Sequence, residues 1–301
     1  MLKFNEFVTQ IFEGGNAIES RPMTQEETIS TYEYVKKKVF PLIGLDGDGV
    51  DATPIGSFGK KMADKESSDI DIAVSVDKIA GANGIGMEEV LDWLDERLSK
   101  AGFITAKVGG FNQISIGVPI AGKASNGIGQ VDLMLSTSLD WSRFMYYSPD
   151  FKVAESKYKG LYRNTLLMSI FSEGTKKTIK AIPTGETEEY EHMVIRLESG
   201  LASVRKTLMG KKGALVKTPT ILKEFDKDIS NVPEEIVALA FGEGVKPNDV
   251  MTFENAFSHF ESKSFPYADK RDAILKRFKA YILAAKVPAP EEVITKYPNL
   301  F

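Results

Sequence analysis

PIGSFGKKMADKESSDIDIAVSVD, the stretch from Pro54 to Asp77, decides the fold of this chain. Its second half alternates apolar and polar residues over positions 70–76, a pattern typical of a half-buried β-strand. Side chains two residues apart in a strand point to the same face, so Asp69 and Asp71 project together while Ile70 points to the other side. The stretch therefore predicts a strand with one apolar face and a pair of carboxylates on the opposite face.

The paired acids, Asp69 and Asp71, indicate a metal site. Two carboxylates on one face of a strand repel each other unless a cation lies between them. Mg²⁺ prefers such oxygen ligands, and two Mg²⁺ ions, or Mn²⁺ in their place, form the clamp used for in-line displacement at a phosphate. The alternative is a surface strand whose two acids are solvated.

The residues just before the acids are suited to a phosphate group. Gly56 allows the backbone to approach a bulky anion closely, and Ser57 adds a hydroxyl donor. The residues that follow are predicted to begin a short helix, whose first N–H groups would bind an anion. Lys60 or Lys61 would then neutralise the outer phosphates of a triphosphate.

A third acid, Asp132, lies in the middle of another alternating segment, QVDLML, at residues 130–135. If this segment pairs beside the strand at residues 70–76, Asp132 faces the same site. It would then ligate the metal and accept the proton of an attacking hydroxyl, or help to remove it. The alternative is that Asp132 is a charge at the edge of a hairpin.

Gly56-Ser57, then Asp69-Ile70-Asp71, then the single Asp132 resemble the motifs of the DNA polymerase β-type nucleotidyltransferase superfamily. That superfamily includes CCA-adding enzymes, poly(A) polymerases, oligoadenylate synthases and antibiotic-modifying or toxin-type enzymes. Locally the sequence is also similar to uncharacterised nucleotidyltransferases of tailed bacteriophages. The resemblance covers residues 54–136 and implies transfer of a nucleoside monophosphate from an NTP to a hydroxyl, with release of pyrophosphate.

The resemblance also implies that the helix after the third acid faces the nucleotide. Tyr158 would stack on the base, and Arg163 and Asn164 would contact the nucleotide from the same helix. The alternative is a basic helix face whose tyrosines pack at a domain junction. Further along, the segment from Ser203 to Lys223 has six basic residues and no acid, which suits an RNA backbone or an ordinary solvated loop equally well.

The expected architecture is α+β, with two domains divided at the turn Ser148-Pro149-Asp150. Residues 1–148 would form a polymerase β-like mixed sheet with helices, as the resemblance implies, and residues 149–301 a mostly helical domain that binds nucleotide or acceptor. Helical periodicity is found at residues 2–12, 24–39, 87–101, 155–171, 190–209, 233–241, 248–260 and 266–285. Further strands are predicted at residues 52–55, 113–118 and 130–135.

The composition of the chain excludes several kinds of site. It has no cysteine and only two histidines, which excludes thiolate chemistry and leaves little basis for histidine-rich metal sites. The amino terminus does not resemble a signal peptide, and no apolar run approaches the ~20 residues that span a bilayer, so a cytoplasmic enzyme is expected.

The acceptor of the nucleotide is the least defined part of the prediction. An RNA 3′ end, such as that of a tRNA, is favoured by the basic segment and the helical second half. The net charge of −4 fits a protein or a small molecule nearly as well. A nucleotide-binding module without turnover is an alternative of a different class, and the oligomeric state is left open.

Overall fold

The structure, a computed structural model, describes residues 17–46, 50–108, 112–181, 187–209 and 220–301. The chain is α+β and divides into two compact units, Met1–Leu161 and Tyr162–Phe301, and each unit is considered by itself. The division falls after Leu161, on the carboxyl-terminal side of the turn at residues 148–150 that the sequence suggested. The helix predicted at residues 2–12 lies outside the described residues.

A mixed five-stranded sheet forms the centre of the first unit. Its strands are β1 (Ala52–Pro54), β2 (Asp69–Ser75), β3 (Ile104–Lys107), β4 (Gln113–Pro119) and β5 (Ile128–Ser136). The strand order is β1-β2-β5-β4-β3. Strands β2 and β5 pair in parallel, and every other neighbouring pair is antiparallel. All four strands predicted from the sequence are present, within two residues at each end.

Four helices among the described residues lie wholly within the first unit, and the sequence predicts two of them, at residues 24–39 and 87–101. They are α1 (Gln25–Lys38), α2 (Val76–Asn83), α3 (Val90–Lys100) and α4 (Leu139–Met145). The start of α1 carries the predicted capping box, in which Thr24 accepts from the Glu27 N–H and the Glu27 carboxylate accepts from the Thr24 N–H. Short 3₁₀ turns at Phe40–Ile43, Met87–Glu89, Ile120–Gly122 and Ala124–Asn126 connect these elements.

The two faces of the sheet differ sharply in character. On one face, rows of apolar side chains cross β2, β5 and β4, for example Ile72 beside Leu133 beside Ile114, and all three are fully buried. Side chains of α1, α2 and α3 belong to the same buried cluster. The other face of β2 and β5 carries the acids. The alternation predicted for residues 70–76 is therefore confirmed, with the apolar side against the core.

The second unit combines a four-stranded antiparallel sheet with a helical carboxyl-terminal region. The sheet contains β6 (Lys177–Ala181), β7 (Thr187–Arg196), β8 (Gly200–Met209) and β9 (Thr220–Ser230), in that order. The helices are α5 (Gly160–Ser169), which begins two residues before the boundary between the units, α6 (Pro233–Phe241), α7 (Phe253–Glu261), α8 (Arg271–Ala284) and α9 (Glu291–Lys296). A π-helical turn at Ile170–Gly174 continues α5, and 3₁₀ turns at Pro247–Val250 and Ala268–Lys270 precede α7 and α8. No helix in the described part of the chain is both long and apolar enough to cross a membrane.

The helical carboxyl-terminal region from residue 233 onward is confirmed, but the helix predicted at residues 190–209 is wrong. These residues form most of the hairpin β7–β8, which turns just before Gly200 and pairs with β9. Gly200 has a φ of +100°, and a Cβ there would lie 2.3 Å from the Ser230 carbonyl oxygen. Helix-forming residues dominate the segment, and pairing within the sheet, which β8 makes with both β7 and β9, overrides that preference.

Candidate metal centre

The register between β2 and β5 brings acids of two strands onto the same face. Asp71 lies directly beside Asp132, and Asp69 lies beside Gln130. Paired residues of neighbouring strands point to the same side of a sheet, so all three carboxylates share the face opposite to the buried isoleucines. The structure thus brings together the three acids that the sequence singled out.

The three carboxylates are close enough to share a cation. One oxygen from each of Asp69, Asp71 and Asp132 lies within 4.8 Å of the other two. Asp69 and Asp71 are half-buried, and Asp132 is only 5% exposed. Among the described residues, this is the one group of three acidic or histidine side chains whose ligand atoms approach so closely. Hard carboxylate oxygens in this arrangement suit Mg²⁺ or Mn²⁺.

Burial raises the pKa of each of the three carboxyls in the metal-free protein. The pKa of Asp71 is raised well above its ordinary value by burial first and then by the charges of Asp69 and Asp132. Burial is also the main cause that raises the pKa of Asp132 to about 7 and that raises the pKa of Asp69. Without a cation, the cluster therefore retains protons near neutral pH, and bound metal would replace them.

Two polar residues that the sequence did not single out adjoin Asp132. Gln130 is buried, and its side-chain NH₂ donates to both carboxylate oxygens of Asp132, at 3.0 and 3.3 Å. Ser115 lies across from Asp132 on β4 and is fully buried. Its hydroxyl is close enough to lower the pKa of Asp132 without completing a well-formed hydrogen bond. Gln130 could have been recognised because it stands two residues before Asp132 in an alternating strand.

Gly56 fits against the cluster in a way that requires glycine. Its φ is +62°, and a Cβ at this position would lie 2.7 Å from Oδ2 of Asp71. The backbone is held there because the Ile55 N–H donates to the Asp71 carbonyl and the Gly56 N–H donates to the Tyr146 carbonyl, both at 3.0 Å. Ser57, the next residue, is half-buried. The Gly56 backbone therefore lies directly against the Asp71 carboxylate, in a conformation that favours glycine.

The segment after Gly56 is a correction to the sequence prediction. Residues 57–60 form a turn closed by the Lys60 N–H and the Ser57 carbonyl, at 3.1 Å, and not the first turn of a helix. Gly59, in this turn, has a φ of +66°, a conformation that favours a tight turn over a helix. The anion-binding helix start expected after Ser57 is therefore absent from this fully described segment.

The two lysines of the segment differ in their surroundings. Lys60 donates from Nζ to the Ser148 carbonyl at 2.5 Å and lies 3.7 Å above the Tyr147 ring. Lys61 donates from Nζ to the Glu66 carbonyl at 3.0 Å, and the charges of Asp69 and Asp71 act on it. Burial lowers the pKa of Lys61. Lys61 therefore belongs electrostatically to the acid cluster.

The remaining predicted ligands lie on other elements. Tyr158 is half-buried in the bend before α5, with Lys157 Nζ 5.2 Å from its ring centre. Arg163 and Asn164 belong to the second unit; Arg163 is fully buried and donates from Nη2 to Asn164 Oδ1 at 2.8 Å. The segment from Ser203 to Lys223 falls on β8, on β9 and on residues outside the described part of the chain.

Comparison with known proteins adds no relative. No protein-family model matches the chain, and no curated protein matches it either. The features that bear on function are therefore the three carboxylates on adjacent strands and the glycine that lies against one of them.

Proposed function

We propose that this protein is a metal-dependent nucleotidyltransferase. It would move a nucleoside monophosphate from an NTP to an acceptor hydroxyl and release pyrophosphate. The observation that carries the proposal is the meeting of Asp69, Asp71 and Asp132 from two parallel neighbouring strands, with oxygens within 4.8 Å of one another. The order of the motifs, which resembles the polymerase β-type superfamily, and the mixed sheet with helices support the same reading and a polymerase β-like fold.

The donor set fits a pair of Mg²⁺ ions, with Mn²⁺ as a substitute. Asp69 and Asp71 would hold both ions and Asp132 one of them, since all three offer hard oxygen ligands on a half-buried face. Bound divalent ions supply charge neutralisation for the triphosphate and for the leaving pyrophosphate. The raised pKa of each carboxyl supports this fit, because repulsion among buried acids is relieved when a cation joins them.

The chain's own residues then have distinct tasks. The Gly56 backbone lets the triphosphate come close to Asp71, and Ser57 adds a hydroxyl donor. Lys61 neutralises the outer phosphates, because the charges of Asp69 and Asp71 act on it and it therefore lies close to the metal site. Asp132 accepts the proton of the acceptor hydroxyl as the new O–P bond forms at the α-phosphate and the bond to the β-phosphate oxygen breaks.

The acceptor proposed first is an RNA 3′ end such as that of a tRNA, and the basic segment from Ser203 to Lys223 is its proposed contact. Tyr158, Arg163 and Asn164 are proposed to contribute to nucleotide binding. A protein or small-molecule hydroxyl is the alternative acceptor, in keeping with the net charge of −4. A nucleotide-binding module without turnover is the remaining alternative, and the presence of all three acids weighs against it.

Labelled NTPs test the proposal directly. The protein is incubated with each α-labelled NTP, Mg²⁺ and either total RNA, total protein or a small-molecule extract, and label in one pool identifies the acceptor class. Asp71→Asn should abolish transfer, because it removes a carboxylate that is proposed to hold both metal ions.

The matched control is Asp51→Asn. Asp51 is also a buried aspartate of the first unit, 9% exposed and 3.6 Å from Lys78 Nζ, but it lies outside the cluster. This variant should transfer label like the unaltered protein. Transfer that survives in Asp71→Asn, or that is absent from the unaltered protein in every pool, contradicts the proposed function.

A further inference from the structure

Gln130 occupies a central position beside the three acids. It pairs with Asp69 on β2 and with Gly117 on β4, one row away from the row formed by Asp71, Asp132 and Ser115. The side chain is only 1% exposed and lies on the face that carries the carboxylates. A neutral amide is thus buried next to acids, and because it is buried, both its NH₂ group and its oxygen need hydrogen-bond partners within the protein.

The hydrogen bonds of Gln130 fix the orientation of its amide. The backbone N–H of Ile18 donates to Oε1 at 3.3 Å, and an N–H can only donate, so the amide oxygen must face Ile18. The NH₂ group therefore faces Asp132, where it reaches both carboxylate oxygens. Gln130 therefore presents its NH₂ group to the acid cluster, while its oxygen points toward Ile18.

Ile18, whose N–H orients Gln130, lies just before a segment that backbone hydrogen bonds attach to the sheet. The Arg21 N–H donates to the Ile128 carbonyl at 3.0 Å, and Met23 exchanges backbone hydrogen bonds with Ser67 at 2.8 Å in both directions. Residues 21–23 are thereby attached to the start of β5 and to the residues just before β2. Ile18 precedes this attachment by three residues and is buried, and the group that it offers to Gln130 is a backbone N–H.

We propose that Gln130 is a positioning residue that aims the Asp132 carboxylate at the bound metal, an inference that rests on the proposed metal-dependent function. By donating to both oxygens, the Gln130 amide restricts rotation of the Asp132 carboxylate and holds it in one orientation relative to Asp69 and Asp71. It does so without adding charge, unlike a lysine or an arginine at this position, which would compete with the cation.

Gln130→Met tests the inference, because methionine keeps the unbranched shape of glutamine and removes both the donor and the acceptor. The matched control is Gln25→Met. Gln25 is also buried, in the same unit, and donates to the Lys65 carbonyl at 2.9 Å without touching an acid of the cluster. The dissociation constant of Mn²⁺ alone is measured by titration without nucleotide, and the Tm is measured in EDTA.

Both methionine variants should lower the Tm to a comparable extent, because each loses buried hydrogen bonds. Only Gln130→Met should weaken Mn²⁺ binding, by ~10-fold, the lower end of the range for loss of a group that orients a metal ligand. Equal Mn²⁺ affinity in Gln130→Met and Gln25→Met would overturn the inference, even if Asp71→Asn had lost Mn²⁺. If Asp71→Asn bound Mn²⁺ as the unaltered protein does, or if transfer from NTPs were absent, the proposed function would fail instead.

Discussion

Replacing Asp132 by asparagine should stabilise the metal-free protein, and the gain should grow as the pH rises. The pKa of Asp132 is raised from 3.8 to about 7, chiefly because burial disfavours its carboxylate. A carboxyl whose pKa is higher in the folded than in the unfolded state contributes stability that is fully present below the unfolded pKa. That stability is lost as the pH rises from the unfolded value to the folded one. Asparagine does not titrate, so Asp132→Asn does not lose this stability as the pH rises.

The size of the effect follows from the two pKa values. At ~1.4 kcal/mol for each pKa unit, the complete loss between pH 3.8 and about pH 7 is about 4 kcal/mol of unfolding free energy. Unfolding is easier to measure between about pH 5 and about pH 8, and over that interval the unfolding free energy of the unaltered protein should fall by about 3 kcal/mol. The advantage of Asp132→Asn over the unaltered protein should therefore increase by about 3 kcal/mol across that interval.

Urea unfolding in EDTA at the two pH values measures this difference. The chain has two tryptophans, Trp93 and Trp141, and both belong to the first unit, so tryptophan fluorescence reports on the unit that contains the site. Asp51→Asn controls for the loss of a buried carboxylate outside the cluster. An advantage of Asp132→Asn that stays constant with pH, or that shrinks as the pH rises, refutes the electrostatic account of the cluster.

Four further outcomes are expected. Saturation with Mn²⁺ to 100 times its dissociation constant should add ~2.7 kcal/mol to the unfolding free energy at alkaline pH, measured by the same urea titration. Gly56→Ala should abolish Mn²⁺ binding in calorimetric titrations, because the added Cβ would lie 2.7 Å from the Asp71 carboxylate. Gly59→Ala is the control: Gly59 has a similar φ but no atom within 4 Å of an added Cβ, so this variant should bind Mn²⁺ normally. Lys61→Met should raise the KM for NTP by roughly tenfold or more, as the loss of a charged hydrogen bond predicts. An unchanged KM in steady-state assays would contradict the role given to Lys61. Lys286→Gly should stabilise the end of α8 by roughly 0.5–1 kcal/mol in urea unfolding followed by circular dichroism, because Lys286 has a φ of +55°.

The acid-bearing strands could be predicted because the relevant signal is local. Alternation around Asp69 and Asp71, and again around Asp132, fixes which side chains share a face whatever the rest of the chain does. The alternation does not predict the order of the strands in the sheet. That β5 lies between β2 and β4, with Asp132 beside Asp71, depends on contacts between residues far apart in sequence.

The second unit shows where local signals fail. Residues 190–209 are rich in glutamate, leucine, methionine and basic residues, which favour helices, yet they form most of the hairpin β7–β8. Leu201 and Val204 become buried in that sheet, so tertiary packing decides the conformation against the intrinsic preference. The dipeptide Ser199-Gly200 is the one local sign of a turn within this stretch. A Ser-Gly pair in the middle of a helical pattern favours a turn over a continuous helix.

The position of β5 in the sheet also bears on how the protein is made. During synthesis, the segment with Asp69 and Asp71 leaves the ribosome well before the segment with Asp132, yet β5 must enter between β2 and β4. Until it does, the row of Asp71, Asp132 and Ser115 does not exist, and a nascent chain has no three-acid centre. The three-acid cluster therefore forms only when β5 has joined the sheet, and before that point the chain holds at most Asp69 and Asp71 together on β2.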